Sequence, residues 1–79
     1  IVNSKLKIYP NPTSELLYIE VPAKMIGTPF KIFNSMKQIV WSGVFESEKI
    51  TLNIKHFPAG LYFLEAKNFN LVYKISIIK

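Results

Sequence analysis

A chain of 79 residues with 49% apolar side chains and a net charge of +5 is long enough for one packed core and too short for two domains. It has no cysteine, which excludes a disulfide framework, a thiolate metal site and a cysteine nucleophile. No window approaches the roughly 20 apolar residues that a helix needs to span a bilayer, so no direct membrane insertion is expected from this soluble globular domain. Every cation is a lysine and every anion a glutamate. Without the planar fork of arginine, nucleic-acid recognition is not expected, and lysines that alternate with apolar residues read as solvated strand faces.

Lys5 to Tyr9 alternates polar and apolar residues, which predicts a first strand with Leu6 and Ile8 inward. Pro10-Asn11-Pro12 stops it as a rigid corner, because neither proline can donate a ladder hydrogen bond. Glu15 to Val21 predicts a second strand with Leu17, Ile19 and Val21 inward, ended by Pro22. The segment from Ala23 to Pro29 fits either a short helical turn or a crossover loop. Phe30 to Asn34 predicts a third strand, Asn34 to Lys37 a hairpin turn, and Gln38 to Phe45 a fourth strand, bulged at Gly43 where the alternation fails.

Ile50, Leu52 and Ile54 alternate with polar neighbours in a fifth strand. It leads into Phe57-Pro58-Ala59-Gly60, a turn where Pro58 fixes its own φ and Gly60 is free to take a positive one. Leu61 to Leu64 is apolar at every position, as in a strand buried on both faces, and the sixth strand runs on to Ala66. Lys67 to Asn70 reads as a further reversal, and Leu71 to Ile78 as a seventh strand with Tyr73, Ile75 and Ile77 on one face. Seven short strands without a convincing helix predict an all-β fold, a seven-stranded antiparallel immunoglobulin-like β-sandwich with Greek-key connections.

Catalytic chemistry has little to work with. His56 is the only histidine and there is no aspartate, so His56 reads as a surface turn residue, and Glu46 with Glu48 as a solvated turn. No phosphate-cradling glycine motif is present. No catalytic, metal or cofactor-binding residues are assigned, and no cofactor is expected. Trp41, Tyr9, Tyr18, Tyr62 and Tyr73 could together form an aromatic platform for a sugar, the basis of an alternative reading as a carbohydrate-binding or structural β-sandwich module.

Tyr9-Pro10-Asn11-Pro12-Thr13-Ser14, Leu17-Tyr18-Ile19, Ile32-Phe33-Asn34, Gln38-Ile39-Val40, Phe57-Pro58-Ala59-Gly60-Leu61-Tyr62-Phe63-Leu64 and Lys74-Ile75 together resemble one family. It is the type A C-terminal sorting domain of the type IX (Por) secretion system of Bacteroidetes. The motif residues are Tyr9, Pro10, Asn11, Pro12, Pro58, Ala59, Gly60 and Tyr62. Lys37 departs from the pattern by standing where the family usually carries glycine. A left-handed lysine there costs on the order of 1 kcal/mol.

The resemblance implies a secretion signal rather than an enzyme, a single domain over residues 1–79 with residues 1–4 as the remnant of a linker from an N-terminal cargo domain. It implies transit through the periplasm, recognition by the outer-membrane secretion machinery, and arrival at the cell surface or in the medium. A cell-surface sorting protease is then expected to cut around or before Ile1 to Ser4. The expected recognition residues lie on the last strand, Lys74, Ile75, Ile77, Ile78 and Lys79, where exposed lysines and an open strand edge face a partner. Deleting the last few residues is expected to block export and leave the fold largely intact.

Overall fold

The computed structural model describes residues 6–66 and 71–79; the predicted linker remnant and the predicted reversal at 67–70 lie outside them. Seven strands form: β1 (Lys7–Tyr9), β2 (Leu16–Glu20), β3 (Pro29–Asn34), β4 (Ile39–Val44), β5 (Lys49–Asn53), β6 (Gly60–Ala66) and β7 (Leu71–Ile77). Among these residues one 3-10 turn, Ala23–Met25, occupies the segment that the sequence left between helix and loop. All strand pairs are antiparallel, in a three-stranded sheet ordered β1-β2-β5 and a four-stranded sheet ordered β4-β3-β6-β7. The chain therefore changes sheet after β2, after β4 and again after β5.

The period-two pattern decides which side chains meet between the sheets. Leu17, Ile19 and Leu52 from the first sheet face Phe30, Ile32, Leu64, Ile75 and Ile77 from the second, all buried in one cluster. Phe45, just past β4, lies flat against Phe30 with ring centroids 4.4 Å apart and planes 5° from parallel. Met25 in the 3-10 turn is buried in the same cluster. Each such side chain contributes about 1.5–3 kcal/mol by leaving water.

Two predicted features are corrected. The bulge lies at Val40, not Gly43: Ile32 pairs with Trp41 and Phe33 with Ile39, which leaves Val40 as the extra residue. Gly43 is in register opposite Phe30, and the Phe30 ring fills the space beside it, 3.7 Å from where a Cβ would stand. The alternation fails near Gly43 because of the residue inserted upstream. The second correction concerns β6, which is central in its sheet but buried on one face only: Tyr62, Leu64 and Ala66 are buried, whereas Leu61 is 45% exposed and Phe63 half-buried.

Candidate functional site

The two motifs of the sequence converge on one element, β7. Along one edge β7 pairs with β6, with Gly60 opposite Ile77 and Tyr62 opposite Ile75. Along the other edge runs the corner Pro10 to Thr13, where the Tyr9-Pro10 and Asn11-Pro12 peptide bonds are both cis. Asn11 uses both ends of its amide there: Nδ2 donates to the Lys74 carbonyl at 2.9 Å, and Oδ1 accepts from the Ser76 N–H at 2.9 Å. The Thr13 N–H donates to the Ser76 carbonyl at 2.9 Å, and the Ile78 N–H donates to the Thr13 carbonyl at 2.8 Å, closing a short parallel bridge.

This arrangement corrects the expectation of an open edge. From Lys74 to Ile78 the outer edge of β7 is taken by Asn11 and Thr13, so its backbone is not available for adding a strand. Thr13 is itself buried, with its hydroxyl donating to the Leu16 carbonyl at 2.6 Å. Lys79 extends the clasp, its Nζ donating to the carbonyls of Lys55 at 2.8 Å and Ser14 at 3.2 Å. On the far side of the core, the Leu6 N–H donates to the Tyr73 hydroxyl at 2.8 Å.

Pro58 to Tyr62 owes its residue types to a corner between the sheets. The Tyr62 side chain is buried, and its hydroxyl donates to the Pro58 carbonyl at 2.6 Å, a tyrosine corner four residues long. Gly60 between them has φ +150°, a conformation that side chains disfavour. Phe57 tilts against Tyr62 at 5.5 Å. Burial pushes the Tyr62 phenol above its ordinary value near 10.

The recognition residues expected on the last strand divide into two kinds. Ile75 and Ile77 are core residues, 1% and 3% exposed, whereas Lys74, Ile78 and Lys79 are exposed. Tyr9 is separate from β7: it stacks on Tyr18 at 5.5 Å and donates to Glu20 Oε2 on the outer face of the three-stranded sheet. That hydrogen bond, with burial and the Glu20 charge adding to it, raises the Tyr9 phenol. Thr13, Ser14 and Lys55 belong to the clasp and carry no periodic signal that singles them out, since all three act in it through backbone carbonyls.

The aromatic platform does not assemble, because Tyr62 is in the core and the Tyr73 hydroxyl is held by Leu6. His56, Glu46 and Glu48 are exposed on turns. Among the described residues no three histidine, cysteine or acidic side chains come together as metal ligands, and no helix is long and apolar enough to cross a membrane.

Comparison with known proteins places this geometry. Residues 7–79 match the family model described as the secretion system C-terminal sorting domain. A stretch of 57 residues, 72% of this chain, is 33% identical to Beta-agarase A of Zobellia galactanivorans and spans 11% of that protein. No solved structure gives a significant match. The match runs from β1 through the clasped last strand, and the chain belongs to the C-terminal sorting domains of the type IX secretion system, signals that direct export to the cell surface or the medium.

Proposed function

We propose that the export machinery recognises this domain as a folded unit, through side chains around β7, and not as a peptide tail. An N-terminal cargo domain precedes it. The pair crosses the periplasm together, the outer-membrane machinery takes hold of the sorting domain, and a cell-surface protease then cuts in the segment before β1. The observation that carries this reading is the clasp: β7 is bonded along both edges, and Ile75 and Ile77 lie in the core. A partner that needed those residues as an extended peptide would first have to unfold the domain. On the folded surface, Val72, Lys74, Ile78 and Lys79 are what β7 and the two residues after it offer.

The test is a reporter carrying a periplasmic signal peptide with residues 1–79 at its C-terminus, expressed in a Bacteroidetes host. Reporter at the surface or in the medium, dependent on the secretion machinery, is the expected result, and Lys74→Glu lowers it by about tenfold while the fusion stays protease-resistant. Retention of the unmutated fusion in the periplasm of a competent host sinks the proposal.

A further inference from the structure

The outer face of the four-stranded sheet breaks the rule that a solvated antiparallel face is polar. The β3, β4, β6 and β7 registers place Ile39, Phe33, Phe63 and Lys74 side by side in one row across all four strands. Ile39 is 53% exposed and the two phenylalanines are half-buried. The next row runs Ser42, Lys31, Glu65, Val72. Over the Phe33–Phe63 pair lies an open hollow of about 390 Å³, walled by Asn34, Ser35 and Lys37. The outer face of the other sheet has a hollow of about 320 Å³ beside Tyr9, Tyr18, Glu20 and Lys49, but its two tyrosines are occupied with each other and with Glu20, and Lys7, Lys49, Thr51 and Asn53 make the rest of it polar apart from Leu16.

We infer that this face, centred on Phe33 and Phe63, is a docking surface for a protein of the export machinery that presents an apolar side chain within a rim of carboxylates. The inference rests on the sorting role and names the surface and the chemistry of its partner. Three features set the occupant. Lys31, Lys37 and Lys74 surround the aromatic pair against the single carboxylate of Glu65, so charge complementarity calls for an acidic rim. A second copy of the chain would bring lysines onto lysines. The hollow admits a projecting side chain, which fits the anchor-in-pocket pattern of protein interfaces rather than a flat lipid surface. Lys74 belongs to both this row and the last strand, so the face is continuous with the recognition residues of β7. Its central pair sits on β3 and β6, both interior to the sheet and paired on each side, so recognition at Phe33 and Phe63 is by side chains.

The experiment uses the same reporter fusion in the Bacteroidetes host. Failure of the unmutated fusion to be exported overturns the sorting role itself. With that fusion exported, Phe33→Gln/Phe63→Gln lowers export at least tenfold, Lys31→Glu/Lys37→Glu does so by a similar factor, and Leu16→Gln/Tyr18→Gln on the opposite sheet leaves it unchanged. The charge-reversed pair carries the result if the double phenylalanine variant loses protease resistance. Benzoylphenylalanine in place of Phe63 gives a photoproduct with an outer-membrane component of the secretion machinery, diminished at least tenfold by Lys31→Glu/Lys37→Glu and absent when the probe replaces Tyr18. Export of both variants at the unmutated level overturns the inference, as does a photoproduct that is a dimer of the fusion or an adduct of lipopolysaccharide.

Discussion

Lys37 has φ +66°, the left-handed region in which a lysine is disfavoured by on the order of 1–2 kcal/mol. Asn34 explains why it is tolerated. Its Oδ1 accepts from the Met36 and Gln38 N–H groups, its Nδ2 donates to Gln38, and its carbonyl accepts from Lys37, so one side chain over-determines the turn. Lys37→Gly is expected to stabilise the domain by about 0.5–1 kcal/mol, the relief of strain less the added backbone entropy, read as a shift in urea midpoint. Tyr62→Phe is expected to cost about 1 kcal/mol by leaving the Pro58 carbonyl without its donor. It also changes the response to alkali. Because the native phenol titrates above the unfolded one, its stabilisation is complete below pH 10 and is lost as pH rises through the native value. Denaturation series on the two proteins from pH 8 to 11 are expected to show a fall in the parent that the variant lacks at this group.

At the scale of elements, the seal on β7 is shared between the Asn11 amide and the Thr13 backbone. Asn11→Ala removes both side-chain bonds to the strand, at an expected cost of about 1–3 kcal/mol, and opens the edge at the Lys74 carbonyl and the Ser76 N–H. Sedimentation at rising concentration is expected to reveal dimers in the variant and not in the parent. In β4, Gly43→Ala is expected to stabilise by about 0.5 kcal/mol, since the new methyl would meet the Trp41 Nε1 at 3.4 Å and Phe30 at 3.7 Å, ordinary contact distances. A large loss in thermal denaturation would contradict the placement of the bulge at Val40. Strands β2, β5 and β7 were legible because each carries a clean alternation that the burial follows. The bulge was not, because which residue is surplus depends on the partner strand. Likewise an unbroken apolar run in β6 could not say whether its second face is covered. The motif residues stood out in the sequence, but their shared target did not: Asn11 reaches acceptor and donor groups 63 and 65 residues away, and local periodicity holds no information about such partners.

For the molecule as a whole, the last residues are part of the structure that presents them. Removing Ile77 to Lys79 takes away a core side chain, the Ile78 bond to Thr13 and the Lys79 clasp. Loss of an isoleucine-sized core group alone costs about 2–5 kcal/mol, comparable to the entire stability of a domain this small, on the order of a few kcal/mol. The truncated domain is therefore expected to be unfolded by circular dichroism and rapidly degraded by protease, in contrast to the expectation from sequence that it keeps its fold. A truncation that stays folded would show that the clasp matters less than its bonds suggest. Point changes at exposed positions, not deletions, separate recognition from folding.

The bonds between residues 6–14 and the strand at 71–79 join segments 63 to 67 residues apart in the chain, the earlier made well before the later. Until the final strand leaves the ribosome, the corner at Pro10 to Thr13 has nothing to close upon and the core lacks one wall. A message broken anywhere upstream, or a chain released early, thus yields cargo without a legible address. The clasp makes the export signal a certificate of completion, displayed only by chains translated through β7 and Lys79.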